Sequence, residues 1–383
     1  MDIKHLFETI ESKQEEYLNF LKEIVEMESP TSEKERVDAV GAYFILKAKK
    51  HGWETEVFRQ KTAGDVVVIT MNGESKEKPV CLSGHMDTVH PIGLFGTPCV
   101  HTEENRMIGP GVCDCKGGCV SAVWAMDALS RMGYQKRPVM LLLQSDEETS
   151  SRESNGETIR YITERAKDAV AFFNMEPSIA EGKVILERKG IAKFELHVSG
   201  VSAHASKCYD GASAIAEAAH KILQLEQYKE QDGITANCGT IQGGTVPNTV
   251  PNECSFSLDT RFATEEQYRE IRTFVHKIAE ETSIPHTHCT VREISYRPPM
   301  PKAEKNYELL KEVNRLLQNA GLEELESMVA FGGSDAAYIT LAGIPVIDSI
   351  GPLGELMHSP NEYIRVDRFS LSAKRIAAII AGI

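Results

Sequence analysis

Apolar positions in the first half of the chain fall into two alternating kinds of run. Short, nearly unbroken stretches, "DVVVIT" (65–70), "PVCLSG" (79–84), "PVMLLLQSD" (138–146) and "AVAFFNME" (169–176), read as strands buried on both faces. Between them, "GCVSAVWAMDALSRMG" (118–133) and "ETIRYITERA" (157–166) read as helices, so this half predicts an α/β sheet covered on both sides. The opening 27 residues, "MDIKHLFETIESKQEEYLNFLKEIVEM", read as an amphipathic helix. After Glu187 the pattern changes. "KFELHVSG" alternates, "ASAIAEAAHKILQLEQY" is helical, "TANCGTIQGG" and "ECSFSLDTRF" are strand-like, "EEQYREIRTFVHKIAEET" is helical and "HTHCTVREI" is a last strand. Two strand–helix–strand passages of this kind predict a small α+β layer. The Pro-rich "YRPPMPKAEKN" marks its end, after which "YELLKEVNRLLQNA" (helix) and "IPVIDSIG" (strand) resume the first pattern. The expected organisation is a domain over 1–187 that resumes at 301–383, interrupted by an inserted domain over 188–300.

Composition narrows the partners more than the fold. The 383 residues are 42% hydrophobic and 26% charged, ordinary for a globular protein with a large core. The net charge of −14, from 56 acidic and 42 basic residues, argues against nucleic acid or an anionic membrane as the main partner, since both need a basic footprint. No apolar run approaches the ~20 residues of a membrane span, and the start lacks a signal-peptide core. Nine scattered Cys, an odd number in a large chain, fit free thiols in a reducing cytoplasm.

In open α/β sheets ligands bind beyond the carboxyl ends of the strands. The polar residues at those places are His85 and Asp87 after "PVCL", Asp114 after "RMIGPGV", Asp146, Glu147 and Glu148 after "MLLLQS", Glu176 after "AFFNM", and His358 in "MHSPNEY" after "IPVIDSIGP". Each acid alone reads as a helix cap, and each His alone as an ordinary hydrogen-bonding residue. Together they are a different matter, because several carboxylates in one cleft resist ionisation unless a cation sits among them. Two His with several Asp and Glu are the donors expected for zinc or a similar divalent ion. Side chains two apart in extended chain share a face, so His85 can ligate while Asp87 orients its ring. The adjacent pair Glu147–Glu148 suggests one ligand and one general base. Calcium is disfavoured by the two imidazoles, because it prefers six to eight oxygens.

The motifs "SGHMDTV", "GPGVCDCKGG", "DEE", "NMEP", "GVSAHAS", "GGTVPNTVP", "LDTR", "FGGSDAAY" and "MHSPNEY" occur in the order seen in the M20 family of metallopeptidases, which the chain resembles over about 82–363. "GHMDTVHPIG", "GPGV" and "GPLGELMHSPNEY" are most similar to its glutamate carboxypeptidase branch. The resemblance implies a mixed-sheet α/β zinc-peptidase catalytic domain with an inserted α+β, ferredoxin-like lid and dimerisation domain. It implies two Zn2+ per subunit, with Co2+ or Mn2+ accepted by the same donors. His85 and Glu176 would hold one ion, Glu148 and His358 the other, and Asp114 would bridge them. Glu147 would be the general base and Asp87 the partner of His85, with a cis peptide between Asp114 and Cys115. His204 of the inserted domain would reach the neighbouring subunit's site in a homodimer and donate to the developing oxyanion. Arg261 and Asn248 would bind the substrate carboxylate, with the planar fork of Arg261 suited to it, and Gly333 would line the pocket through its backbone.

The implied activity is a cytoplasmic di-zinc hydrolase that cleaves an amide bond in dipeptides or N-acyl amino acids with a free carboxylate, possibly releasing glutamate. An acetylornithine or succinyl-diaminopimelate type of deacylase is the alternative within the family. A non-catalytic metal-binding homologue is the alternative of another class, and it gives no reason to keep Glu147. The main departure from the family is Cys113, Cys115 and Cys119 around Asp114. A thiolate metal site is one reading of that run; small buried thiols packing beneath the carboxylate site is the simpler one.

Overall fold

The computed structural model describes residues 1–230 and 233–383, which divide into two compact units. The first comprises Met1–Leu186, Lys302–Val329 and Tyr338–Ile383. Its sheet runs, from edge to edge, Glu54–Phe58, Val66–Met71, Val139–Gln144, Val80–His85, Ala171–Asn174 and Val346–Ile347. The first two strands are antiparallel, and Val66–Met71 also meets Val139–Gln144 antiparallel. The remaining pairs are parallel, so Val139–Gln144, Val80–His85 and Ala171–Asn174 end side by side. All residues of these three strands are buried, as their unbroken apolar runs require.

The helix Gly118–Arg131 is buried around most of its circumference. Trp124 is its anchor, with Nε1 donating to the Ile10 carbonyl at 3.1 Å and its ring stacked 5.1 Å from Tyr17. Gly118 opens this helix directly over the strand end that leads to Glu176. A Cβ there would lie 1.9 Å from the Met175 carbonyl oxygen, so only glycine allows the approach. The N-terminal stretch expected as one helix is two, Ile3–Glu11 and Gln14–Val25. Ser12 Oγ bonds back to the Thr9 carbonyl and Lys13 leaves helical geometry. The change of direction lets Leu6 and Ile10 on one side, and Tyr17, Phe20, Leu21 and Ile24 on the other, all reach the core.

A second, small antiparallel sheet joins His101–Glu103, Arg106–Ile108, Tyr363–Arg365 and Gly354–Glu355. Pairing of Tyr363 with Ile108 brings the segment that leads to Asp114 beside the one that follows His358. The "IPVIDSIG" stretch contributes only the two-residue strand Val346–Ile347.

The second unit comprises Glu187–Pro301 and Ala330–Ala337. Its four-stranded sheet has the order Thr235–Gly243, Glu253–Phe262, Gly190–Ser199, His288–Arg297, antiparallel throughout. With helices Ala214–Leu225 and Glu265–Glu280, this is the strand–helix–strand–strand–helix–strand succession of ferredoxin-like layers. Gly190–Ser199 alternates buried and more exposed positions, the mark of a sheet covered on one face. A buried pair ties its helices together: Lys221 Nζ lies 3.0 Å from Glu217 and donates to the Ile278 carbonyl. Ala330–Ala337, which carries Gly333, groups with this unit although the sequence pattern leaves it with 301–383.

Trp124→Ala should destabilise the first unit by about 3–5 kcal/mol, the usual loss for deleting a buried large aromatic side chain. Urea unfolding followed by circular dichroism checks this, and a loss under about 1 kcal/mol would contradict the anchoring role given to the indole.

Candidate metal centre and active site

The three central parallel strands deliver their side chains to one edge. His85 is the last residue of its strand, Glu147 and Glu148 form a single helical turn just beyond Gln144, and Glu176 follows Asn174. Asp114 comes instead from the irregular turn Val112–Gly117 that leads into the helix starting at Gly118, and the peptide that follows it is cis. His358 comes from the turn before Tyr363–Arg365.

Asp114 is central to the arrangement. Its Oδ1 lies 2.9 Å from His85 Nε2, and its Oδ2 lies 3.3 Å from His358 Nε2. His85 Nε2 is also 3.7 Å from Glu176 Oε1, and His358 Nε2 is 3.2 Å from Glu148 Oε2. The five side chains therefore form two donor groups, His85 with Glu176 and His358 with Glu148, and each group receives one oxygen of Asp114. Zinc bonds of about 2.0–2.2 Å at tetrahedral angles place neighbouring donors roughly 3.3–3.6 Å apart. The observed separations of 2.9 to 3.7 Å straddle that spacing, so the residues fit a pair of divalent ions sharing Asp114.

The electrostatics carry the same requirement. Burial, and then the charge of Asp114, push Glu148 up to about 8 and Glu176 well above the carboxylate range. Burial acts on Asp114 too, but its hydrogen bonds with His358 and His85 outweigh it and hold this carboxyl well below the usual range. Hydrogen bonds with Asp114 and Glu148 raise His358 to about 11. For His85, burial alone would lower the value, yet Asp114 and Asp87 lift it well above that of free imidazole. Protons thus do among these side chains what a divalent cation does better.

Asp87 is fully buried and organises two of the strand ends at once. Its carbonyl lies 3.0 Å and its Oδ1 3.4 Å from His85 Nδ1, which leaves Nε2 for the metal side. Its Oδ1 accepts the Glu147 amide at 3.3 Å, while Oδ2 accepts the Glu148 amide at 3.2 Å and the Thr31 hydroxyl at 2.8 Å. Asp87 thus touches the His85 ring, as expected from the sequence, and also fixes the Glu147–Glu148 turn. Thr31 has no local signal in the sequence. Glu362, another buried carboxylate at this edge, stands inside the quoted "MHSPNEY" and only its position four residues after His358 hints at a role.

Cys113, Cys115 and Cys119 are all buried. Cys119 Sγ donates to the His85 carbonyl at 3.4 Å and Cys115 Sγ to the Met175 carbonyl at 3.3 Å. Burial pushes the Cys113 and Cys115 thiols well up, so both pack as neutral thiols. Cys115 nonetheless stands close enough to His85 and Glu176 to be counted among possible donors.

The other four candidates lie in the second unit. His204 is exposed, with Nδ1 2.8 Å from Ser206 Oγ, and the carbonyl of Asn248 accepts the Ala205 amide at 2.9 Å. The fork of Arg261 is engaged by Asp259 (Nε–Oδ1 2.7 Å, Nη2–Oδ2 3.1 Å), and Nη1 donates to the Phe331 carbonyl at 3.2 Å. A Cβ on Gly333 would sit 2.5 Å from Arg297 Cδ, so a larger residue there would have to move that side chain.

A mixed α/β sheet with two imidazoles and three carboxylates gathered at one edge is an arrangement that suits a metal-dependent hydrolase. Residues 81–382 match peptidase family M20/M25/M40, and the chain belongs to that family. It is 28% identical to carboxypeptidase G2 of Pseudomonas sp. (strain RS-16) over 393 residues, covering 98% of this chain and 92% of the relative. It is 25% identical to the succinyl-diaminopimelate desuccinylase of Thioalkalivibrio sulfidiphilus over 321 residues, covering 79% and 83%. Its fold is similar to that of a tripeptidase from Staphylococcus aureus, with a TM-score of 0.79 at 22% identity over 96% of this chain and 97% of that one. The protein is a hydrolase of peptide or amide bonds. No described helix is long and apolar enough to cross a membrane.

Because Glu148 and His358 hold protons at pH 7, a divalent ion must displace them. Metal loading at pH 7 should release protons, and affinity should rise as pH is raised from 6 toward 8. Calorimetric titration with Zn2+ in two buffers of different ionisation enthalpy measures the release; a buffer-independent heat would contradict it.

Proposed function

We propose that this chain is a di-zinc carboxypeptidase that removes a C-terminal amino acid, glutamate among the candidates, from dipeptides or N-acyl amino acids with a free carboxylate. The observation that carries this reading is the division of Asp114 between the two donor groups, one oxygen to each. His85 and Glu176 would hold one ion and Glu148 and His358 the other, and cobalt or manganese suits the same nitrogen and oxygen donors. When bound, the ions supply Lewis-acid polarisation of the scissile carbonyl and make water a better acid.

Glu147 is the base. It is 7% exposed, and its backbone amide is pinned on Asp87 beside the ligand Glu148. It takes the proton of the attacking water and passes it to the departing amine. Asp87 keeps His85 in the tautomer that presents Nε2. Arg261 supplies the cation for the substrate carboxylate, which must compete with Asp259 for the guanidinium fork. Asn248 joins Arg261 in binding the carboxylate, and the backbone at Gly333 is a further substrate-lining candidate. His204 donates to the developing oxyanion of a second subunit. A homodimer is supported by the outer edge of Thr235–Gly243, which is unpaired over Gly239–Gly243 among the described residues, with Ile241 and Val246 about half exposed nearby.

Likeness to a desuccinylase keeps a deacylase of N-acyl diamino acids as the second reading. Zinc-reconstituted turnover of C-terminal glutamate dipeptides, N-acetyl amino acids and N-succinyl diamino acids separates the two. Glu147→Ala should lower kcat on the active group by roughly 10²–10⁴-fold, the usual contribution of a positioned base, with both metals retained. An active Glu147→Ala enzyme would sink the assignment of the base, and turnover confined to N-succinyl diamino acids would sink the carboxypeptidase reading.

A further inference from the structure

A buried carboxylate is costly unless its acceptor positions are filled. Glu362 is fully buried, and its partners are all parts of the metal centre's framework. Oε1 accepts the backbone amides of Cys113 and Asp114, each at 2.9 Å. Oε2 accepts from His90 Nε2 at 2.7 Å and from the Gly111 amide at 3.4 Å. Consecutive amides aimed at one oxygen form an anion cradle, and here the anion is part of the chain itself. Glu362 also fixes its own segment, since its carbonyl accepts the Gly109 amide at 3.2 Å and its amide donates to the Ser359 carbonyl at 3.2 Å.

Three ligand-bearing segments meet at this one side chain. His90 continues the segment that holds His85, the cradle amides belong to the turn that holds Asp114, and Glu362 ends the turn that holds His358. That last turn needs an external hold. Leu356 and His358 both adopt left-handed backbone geometry, at φ 62° and 61°, where side chains are disfavoured. The imidazole of His358 is 56% exposed, so packing does not keep it in place.

We propose that Glu362 is a positioning residue for the metal centre: its carboxylate, clamped on the Asp114 turn and on His90, sets the bridging carboxylate and the His358 turn at the spacing two ions require. The proposal rests on the di-metal reading above. Glu362 touches no reacting atom; it acts through the backbone of Asp114 and through the turn of His358. His90 is its counterpart, filling the acceptor positions that the cradle leaves open.

The test is cobalt titration of the metal-stripped full chain, followed by visible absorption, on wild type, Glu362→Gln, Glu362→Ala and His90→Gln. Thermal unfolding is measured in parallel. Glu362→Gln keeps an oxygen for the amides but loses the charge. It should fold, bind Co2+ some 10–100-fold more weakly, as is typical for partners behind metal ligands, and show an altered cobalt spectrum. Glu362→Ala should lose more, and His90→Gln, whose amide still donates to Glu362, should lose less than either. In turnover assays the loss should fall on kcat and leave KM near wild type. A Glu362→Gln chain with wild-type cobalt affinity and spectrum would overturn the proposal, even if its melting temperature fell. If Glu362→Ala does not fold, the Gln variants decide alone. A wild-type chain that takes up fewer than two ions would overturn the functional reading itself, an outcome visible before any variant is compared.

Discussion

The structure turns on one electrostatic problem: three largely sequestered carboxylates, Asp114, Glu148 and Glu176, are gathered around two imidazoles. Like charges so placed cannot all ionise unless positive charge stands between them. His85 and His358 partly answer the need, each facing one oxygen of Asp114. The imidazole on each side also holds Asp114 well below the usual carboxylate range, while burial and the charge of Asp114 raise its two carboxylate neighbours. Divalent ions resolve the conflict fully, and they turn an unfavourable cluster into a reason for the surrounding architecture.

That architecture works by delivering rigid strand ends and then correcting them with hydrogen bonds. Parallel pairing puts the ends of Val80–His85, Val139–Gln144 and Ala171–Asn174 in one row, so three donors need no long loop to meet. The buried acids Asp87 and Glu362 then act in parallel ways on different segments of the centre. Asp87 joins the His85 strand end to the Glu147–Glu148 turn, and Glu362 joins the Asp114 turn to the His358 turn. Gly118 permits the helix behind Asp114 to sit against the Met175 carbonyl next to Glu176. Each device spends hydrogen-bonding capacity on geometry, which suits a site whose donors must be held to within fractions of an ångström.

Much of this was legible in the sequence because the central strands are long apolar runs, and a polar residue just past such a run has a defined place in space. His85, Glu147, Glu148 and Glu176 were readable in that way. Asp114 and His358 were placed by the same rule, after "RMIGPGV" and "IPVIDSIGP", but they arrive through turns beside a sheet of two- and three-residue strands that leave no periodic signal. Their pairing with the other donors came from the order of motifs. Thr31 is invisible for a different reason: its partner Asp87 is distant in the chain and nothing local marks the hydroxyl. The break at Ser12–Lys13 was hidden because both N-terminal helices keep the same amphipathic rhythm. Residues of the second unit were the least determined by pattern. The engagement of Arg261 by Asp259 two positions earlier, and the grouping of Ala330–Ala337 with the inserted segment, depend on tertiary placement.

Sharing of Asp114 between two ions is open to direct observation. Anomalous diffraction from crystals of the zinc-loaded protein, collected on both sides of the zinc edge, locates each ion and its donors. Two zinc positions per chain about 3.5–4 Å apart are expected, as in other two-metal sites, with one oxygen of Asp114 on each, His85 and Glu176 on the first and Glu148 and His358 on the second. A single zinc, or two with Asp114 bound to only one of them, would contradict this arrangement.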